Sequence, residues 1–266
     1  MQKAENSHLF LQERQDQILT MLNKEKKLLV TQLSEVFHVS PATIRNDLKE
    51  MEGRGLLVRT HGGAILNTKS GAEKNSVQKQ SLYTGEKRNI ALCASQMVED
   101  GDTIAIDTGT TTMAFAEAIA EKKNLTVITN DLCIALYLEE HSSANIVIIG
   151  GIMRRGFHCS CGSMAVEGLK GFRIDKCFLA TNGLTAEVGL STPDMGHAEV
   201  KKQLIAIASQ VIVLCDSSKI GTNSFCAVAP ASVIHILITD SSIGRKLRES
   251  LEDMDIIVKI CDEVSC

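Results

Sequence analysis

The chain has no tryptophan, two tyrosines, seven phenylalanines and three prolines in 266 residues. A core built with so few rings must be aliphatic, and stacking platforms for unpaired bases are not on offer. With 44% hydrophobic residues as well, the composition argues against a disordered chain, collagen or a charge-rich fibre. No apolar run reaches the ~18 residues of a membrane-spanning helix. The opening MQKAENSHLF has no apolar stretch of signal-peptide length, so no secretory leader is expected. Neither sign of charge prevails: 28 Lys+Arg stand against 32 Asp+Glu, a formal charge of -4. That balance argues against a general polyanion binder.

Cysteine is missing from the first 92 residues, and all nine lie between Cys93 and Cys266. An odd count without a leader reads as reduced thiols in a cytoplasmic protein. His158, Cys159 and Cys161 stand together, but the spacing misses the C-x2-C of structural zinc sites, and no metal is expected. Charge divides the chain as well. Residues 1–66 carry 9 Lys+Arg against 8 Asp+Glu, whereas 67–266 carry 19 against 24. A nearly neutral head on an acidic body is compatible with DNA binding confined to the head.

What is present begins with helical periodicity. Ile18, Leu19 and Leu22, with Leu11 or Gln15 a turn or two earlier, predict a helix over 11–25. Lys24 to Lys27 interrupts the pattern. Leu33, Val36 and Phe37 then predict a second short helix with Thr31 as its N-cap. After His38-Val39, Ser40-Pro41 opens a third: serine caps it and proline sits where a missing N–H does no harm. Ile44, Leu48 and Met51 form its buried stripe, and Gly53 and Gly55 end it. Two short helices joined by a tight turn make a helix-turn-helix. The groove-facing side of the third is the remainder of its surface: Pro41, Ala42, Thr43, Arg45, Asn46 and Lys49. Thr43 suits a phosphate or a thymine methyl, Arg45 guanine or a phosphate, and Asn46 adenine. Asp47 and Glu50 are expected to face solvent or pair locally. Two β-prone stretches over 56–65, around a basic glycine-containing tip, read as a wing, with Arg59 and His61 for flanking phosphates. The alternative is a plain three-helix bundle with a basic surface.

Residues 67–80 are polar and aperiodic and read as a linker. From residue 81 helical stretches alternate with aliphatic strands at 103–106, 125–128, 146–149, 176–179, 211–214, 233–239 and 256–260. Helices are expected at 87–98, from 112 to about 120, 132–138 and 199–209. This alternation predicts a mostly parallel sheet covered on both faces, with ligands at the strand C-terminal ends. Polar turns follow five of these strands: Asp107–Thr112, Thr129–Asp131, Gly150-Gly151, Thr181–Gly183 and Asp216–Lys219. Gly109-Thr110-Thr111 at a helix start is a cradle for phosphate or carboxylate. It is neither a Walker A sequence nor GxGxxG, so no nucleotide cofactor is indicated. Lys201 and Lys219 are candidate cations for such an anion. Arg154 and Arg155 are further ones, and Glu199 is a candidate for sugar hydroxyls. Each also reads as ordinary solvated charge.

These residues resemble a known family. The head motif Val39-Ser40-Pro41-Ala42-Thr43-Ile44-Arg45-Asn46-Asp47-Leu48, followed by Arg59-Thr60-His61-Gly62-Gly63-Ala64, is similar to the DeoR-type winged helix-turn-helix of bacterial sugar-catabolism regulators. In the body, Asp107-Thr108-Gly109-Thr110-Thr111, Val127-Ile128-Thr129-Asn130, Gly150-Gly151, Asn182-Gly183, Glu199-Val200-Lys201 and Asp216-Ser217-Ser218-Lys219 resemble that family's sensor domain. The resemblance implies an N-terminal winged helix-turn-helix joined to a larger, mostly parallel-sheet α/β sensor domain, akin to ribose-5-phosphate isomerase. It also implies a repressor of a carbohydrate operon modulated by a phosphorylated sugar or related metabolite. Carried over by position, Gly109, Thr110 and Thr111 hold the phosphate, aided by Lys201 or Lys219. Asp107, Thr129, Asn130, Gly151, Asn182 and Glu199 line the polyol side.

The domains implied are 1–66 and 81–266 around the 67–80 linker. The partners implied are double-stranded operator DNA and a second copy of the chain, as a homodimer or homotetramer. Three positions depart from the family pattern. Arg45-Asn46 stands where two basic residues are usual, His197 where a carboxylate is frequent, and Ala180-Thr181 where a pair of small residues is expected. An isomerase-like enzyme with Glu199 or Asp107 as base and Lys201 as electrostatic stabiliser is the rival reading. Activation in place of repression also stays open.

Overall fold

A computed structural model describes residues 11–25, 27–53, 56–66 and 73–261; Lys26, Gly55 and the 67–72 part of the expected linker lie outside the described residues. Two compact units divide between Tyr83 and Thr84.

The first unit comprises α1 (Leu11–Glu25), β1 (Lys27–Leu29), α2 (Val30–Phe37), α3 (Pro41–Gly53), β2 (Leu57–Thr60), β3 (Gly63–Leu66) and α4 (Ser76–Gln80). Ile18, Leu22, Leu33, Phe37, Ile44, Leu48 and Met51 converge in one core, as their helical spacing requires. Ser40 caps α3 as expected: its Oγ accepts from the Thr43 N–H at 3.1 Å. The tight turn between α2 and α3 is made by His38 in the left-handed conformation (φ 53°), its N–H donating back to the Ser34 carbonyl.

Three features of the head differ from expectation. Residues 27–29 form a strand, with only Leu28 turned inward. It pairs antiparallel with β3, so the wing sheet has three strands in the order β1-β3-β2. The strand runs directly into α2, which starts at Val30 and leaves Thr31 inside the helix instead of capping it. Gly63 permits this pairing, because a Cβ there would stand 1.9 Å from the Leu28 carbonyl oxygen. The second difference lies in the expected linker. Residues 76–80 form α4, capped by Asn75 accepting from the Gln78 N–H at 2.9 Å, and Leu82 is buried in the head core.

The third concerns Asp47, which is buried and neither faces solvent nor pairs locally. Arg14 Nε donates to Asp47 Oδ2 at 2.7 Å and Nη2 to Oδ1 at 3.2 Å. Position 47 adjoins the buried stripe of α3, so the carboxylate needs a buried partner, and α1 supplies it 33 residues earlier.

The second unit comprises α5 (Thr84–Ser95), β4 (Thr103–Ile106), α6 (Thr110–Ala118), β5 (Thr126–Thr129), α7 (Leu132–His141), β6 (Asn145–Ile148), β7 (Ile152–Arg154), β8 (Cys159–Cys161), α8 (Ser163–Leu169), β9 (Ile174–Ala180), β10 (Gly183–Thr185), β11 (Gly189–Thr192), α9 (Met195–Ile207), β12 (Ala208–Leu214), β13 (Cys226–Ala229), β14 (Ile236–Thr239), α10 (Arg245–Glu252) and β15 (Ile257–Ile260). Seven strands form one sheet in the order β15-β14-β12-β9-β4-β5-β6. Every neighbouring pair is parallel, as the alternation predicted. Successive strand residues point to opposite faces. Cys177 and Leu179 of β9, with Val211 and Val213 of β12, pack against α8, α9 and α10. Phe178, Ile212 and Leu214 pack against α5, α6 and α7 on the other face.

The hairpin β7–β8 and the antiparallel sheet β10-β11-β13 have no counterpart in the sequence reading. Their three- and four-residue strands, several rich in Gly, Ser, Thr or Cys, carry little of the aliphatic signal by which strands are recognised. The helix expected to begin at 199 begins at Met195, because Asp194 caps it by accepting from the His197 N–H at 2.7 Å.

Removing one member of the buried Arg14–Asp47 pair leaves an uncompensated charge, worth about 3 kcal/mol. Asp47→Ala is therefore expected to speed hydrogen exchange of α1 and α3 amides by roughly a hundredfold. Exchange in β4 and β9 of the second unit, followed in the same sample by mass spectrometry, should not change.

Candidate functional site

Parallel strands place all their C-terminal ends on one edge, so the five polar turns collect there. At the middle, directly after β4, stands Asp107, with no exposure to solvent. Lys201 Nζ, from α9, donates to Asp107 Oδ2 and, at 2.7 Å, to the Ala180 carbonyl at the end of β9. The Ala180 N–H donates to the same Oδ2 at 3.0 Å. His197, one turn before Lys201, places Nε2 3.2 Å from Oδ1. Burial alone pushes the Asp107 carboxyl up, but the Lys201 charge and the His197 hydrogen bond overcome it, and Asp107 stays below the usual carboxylate range. Burial, then the Lys201 charge, hold His197 below its ordinary value. Lys201 and His197 both meet Asp107: one cation and one neutral imidazole on one anion.

Next to Asp107, Gly109 precedes α6. A Cβ at Gly109 would stand 2.8 Å from the Ala180 Cβ, so the turn approaches β9 as closely as glycine allows. The first-turn N–H groups of α6, from Thr110 to Thr112, have no intrahelical acceptor and carry the positive end of the helix dipole. Thr108 Oγ1 donates to Asp131 Oδ2, and Asp131 also caps α7 through the N–H groups of Cys133 and Ile134. Thr129 Oγ1 ties the β5 end to the Ile106 carbonyl at 2.7 Å. Asn130 Nδ2 donates to the Ser160 carbonyl at 2.8 Å, while its buried Oδ1 finds no partner among the described residues.

The edge therefore brings together Asp107, Gly109, Thr110, Thr111, Thr129, Asn130 and Lys201. Lys201, expected as a free cation for phosphate, is committed to Asp107 instead. Asp107, expected along the polyol, is sealed with both oxygens engaged. Glu199 is exposed on α9 and bonded to Lys202 at 2.8 Å, because positions 197 and 201 share the inward face and 199 does not. Lys219 lies beyond β12, two strands from β4 in the sheet, with Nζ 3.8 Å from Asp216. Asn182 is half-buried and its Oδ1 accepts from Thr192 Oγ1 at 3.1 Å. Gly151 is exposed, and a Cβ there would stand 2.7 Å from the Cys161 carbonyl oxygen. Its glycine serves the approach of β8.

Arg154 of β7 joins this edge through Asp194, at 3.3 Å, and lies over the Phe157 ring at 3.8 Å. Burial pushes the Cys159 thiol to about 12 and raises Cys177 and Cys215 also. These thiols stay protonated and act as small apolar side chains. Among the described residues, no cluster of three His, Cys, Asp or Glu is arranged to hold a metal ion, and no helix is long and apolar enough to cross a membrane.

In the first unit, Ser40, Pro41, Arg45, Asn46 and Lys49 are exposed along α3, while Thr43 is half-buried and bonded to Ser40 Oγ. Arg59 and His61 are exposed on the wing. The Arg59 N–H donates to Glu52 Oε1 at 2.8 Å, and its guanidinium lies 3.8 Å from the same carboxylate. A phosphate at Arg59 competes with Glu52.

Family models of the DeoR-like helix-turn-helix domain and the DeoR C terminal sensor domain match residues 14–70 and 83–241. The chain belongs to the DeoR family. It is 31% identical to the HTH-type transcriptional regulator GolR of Listeria innocua, over 96% of this chain and 100% of that one. It is 33% identical to the regulator GlpR of Haloferax volcanii, over 92% and 96%. With the putative aga operon transcriptional repressor of Escherichia coli O157:H7 it shares 30% identity, over 94% of each. It is therefore a DNA-binding transcriptional regulator. Ribose 5-phosphate isomerase A of Neisseria gonorrhoeae is a distant structural neighbour, with a TM-score of 0.40 at 15% identity over 56% of each chain.

Within this DeoR-family sensor, the resemblance already marks His197 as a position bearing on the polyol end of a ligand. Its departure from the family pattern was visible, but its contact with Asp107, 90 residues away, was not.

Two outcomes follow from these contacts. Lys201→Met leaves Asp107 buried without its cation and is expected to destabilise the second unit by about 3–5 kcal/mol in denaturant unfolding. The double variant Asp107→Leu/Lys201→Met should recover much of that loss. The second outcome is an acid limb. His197 binds a proton less readily folded than unfolded, so stability is full above its unfolded value of about 6.5 and falls as pH drops below it. The lowered Asp107 adds stability above about 3.8 that is lost as pH falls further. Thermal midpoints against pH should show the first limb in the native protein and not in His197→Asn.

Proposed function

We propose that this protein is a cytoplasmic repressor of a carbohydrate-catabolism operon, binding duplex operator DNA and responding to a phosphorylated sugar or a related metabolite. The observation that carries this reading is one polypeptide with two surfaces. On one, α3 presents Arg45, Asn46 and Lys49 to solvent. On the other, the sheet edge combines the α6 N-terminus with buried polar groups that have no partner among the described residues. The N–H groups of residues 110–112 suit a phosphate without needing a lysine, which Lys201 no longer offers. The repressor names printed for relatives support the direction of regulation.

Sequence-specific reading by one short helix covers few base pairs, so the active species in this proposal is at least a homodimer on a two-fold site. The effector acts by linkage: it binds the DNA-competent and incompetent states with different affinity, or it shifts nothing. The isomerase alternative fares worse. Its proposed bases are an Asp107 held ionised with both oxygens engaged, and a Glu199 that is exposed and paired to Lys202.

Fluorescence anisotropy of the full-length protein on duplexes from upstream of its own gene, at fixed salt, tests this. Binding preferred over scrambled DNA and altered by a sugar phosphate is the expected result; folded protein with no preference for any duplex overturns it. Arg45→Ala should weaken operator binding by roughly tenfold to a hundredfold, as loss of one base or phosphate contact does. Effector binding measured on the same variant should be unchanged, and parallel loss of both would end the division of labour between the two units.

A further inference from the structure

The sheet edge holds three buried polar atoms that nothing in the described residues satisfies: Thr239 Oγ1 at the end of β14 and, nearer β4, the acceptors His197 Nδ1 and Asn130 Oδ1. Their chemistry is fixed by their neighbours. Asn130 has turned its amide nitrogen to the Ser160 carbonyl, which leaves the oxygen bare. His197 directs Nε2 at a carboxylate that can only accept, so the proton of the neutral ring resides on Nε2, and Nδ1 carries a lone pair. Both residues adjoin strand β8: Asn130 bonds Ser160, and Gly196, next to His197, packs on Cys161 and Gly162. Buried acceptors left unpaired are disfavoured, so a donor from outside the protein, a ligand hydroxyl or a water, is needed to satisfy both.

We propose that His197 is a specificity-determining residue of the effector site, its Nδ1 accepting a hydrogen bond from a hydroxyl of the bound ligand in a tautomer set by Asp107 and Lys201. This rests on the reading of the sheet edge as the effector site. The ligand then has two chemically distinct ends. An anion meets the donor N–H groups of α6, and a hydroxyl-bearing end meets the acceptors His197 Nδ1 and Asn130 Oδ1. Asp107 and Lys201 are positioning residues. Lys201 keeps Asp107 ionised, and Asp107 keeps the imidazole proton away from the ligand.

The charged groups around His197 agree with a neutral ring. Lys201 faces it from α9 and Arg154 from β7, both opposing a second positive charge, while Asp107 at the end of β4 favours one. Asp194, the α9 cap, is engaged by Arg154. A second proton on His197 would occupy Nδ1 and turn the acceptor into a donor, so acid should abolish recognition of the hydroxyl while leaving the anion contacts in place.

The test is isothermal titration calorimetry on the full-length protein near neutral pH. The probes are inorganic phosphate, ribose 5-phosphate, glucose 6-phosphate and fructose 6-phosphate, each sugar with its monodeoxy analogues. Wild-type protein is expected to prefer one sugar over one of its deoxy analogues by about tenfold or more. His197→Gln keeps a donor where Nε2 stands and removes the Nδ1 acceptor, so that preference should vanish with inorganic phosphate affinity unchanged. His197→Asn keeps an acceptor near Nδ1 and should retain part of the preference.

A His197→Gln protein with the full preference overturns the proposal, as does a wild-type protein indifferent to every deoxy substitution. Should His197→Gln fail to fold, the ratio of sugar to deoxy affinity in wild type is followed against pH, where the phosphate titration cancels. It should fall on acidification, and a constant ratio overturns the proposal. A wild-type protein that binds none of the probes removes the effector reading of this edge, and the His197 assignment with it. That result is distinct from binding with an unaltered preference.

Discussion

The ion pair between Asp107 and Lys201 is the constraint around which the second unit is organised. Each side chain is almost wholly buried, and each alone would be untenable in an aliphatic interior. Together they join the end of β4, the end of β9 through the Ala180 peptide, and the helix α9. Three consequences follow from that junction. The turn after β4 is pinned against β9, which is why Gly109 tolerates no Cβ. The start of α6 is fixed beside it, so its free N–H groups point from a rigid support. His197, one turn from Lys201 on α9, is held with a defined tautomer. A pair of hydrophobic residues could stabilise the fold as well, but it would position none of these groups.

The head uses the same device at a smaller scale. Arg14 and Asp47 form a two-pronged pair between α1 and α3, and Asp47 lies between Arg45-Asn46 and Lys49 in sequence. Helix α3, which faces DNA in the function proposed above, is thus anchored by a charge from its own inner side, while its basic and amide side chains remain exposed. A side chain that reads a base must be placed to within about half an ångström, and apolar packing alone permits more slack than a bidentate guanidinium–carboxylate pair. Both units, then, spend a buried charge pair on orientation.

Much of this architecture was legible in the residues. The helix over 11–25, the Ser40-Pro41 start of α3 and the strand over 103–106 follow from periodicity and capping alone. Parallel strands ending in polar turns place Asp107, Thr129, Asn130 and Gly109 on one edge from the sequence alone. What periodicity does not carry is partnership. Lys201 was legible as a cation near an anion site, but not as the counter-ion of Asp107, because a separation of 94 residues has no local signature. Glu199 drew attention by its charge, yet helix phase turns it outward. The same phase turns His197 inward, and that became readable only once Asp194 set the start of α9. Strand β1 escaped notice because its three residues follow a lysine-rich run and pair with a partner over thirty residues later.

The division of charge along the chain gives the two recognition problems different physics. Residues 67–266 carry 19 Lys+Arg against 24 Asp+Glu, so the body repels both DNA phosphates and an anionic effector at long range. In the function proposed above, DNA binding is thereby left to Arg45 and Lys49 of α3 and to the wing, where attraction operates over about 10 Å or less at ordinary ionic strength. The effector, in the function proposed above, has to overcome the same repulsion. A net-neutral Asp107–Lys201 pair offers it no monopole to approach. What remains is the short-range field of oriented N–H groups at the α6 N-terminus, strong only within the first turn, together with buried acceptors that reward a matching pattern of hydroxyls. A site built this way discriminates by fit at contact in preference to charge at a distance. That is the useful property for a sensor bathed in phosphorylated metabolites of equal charge.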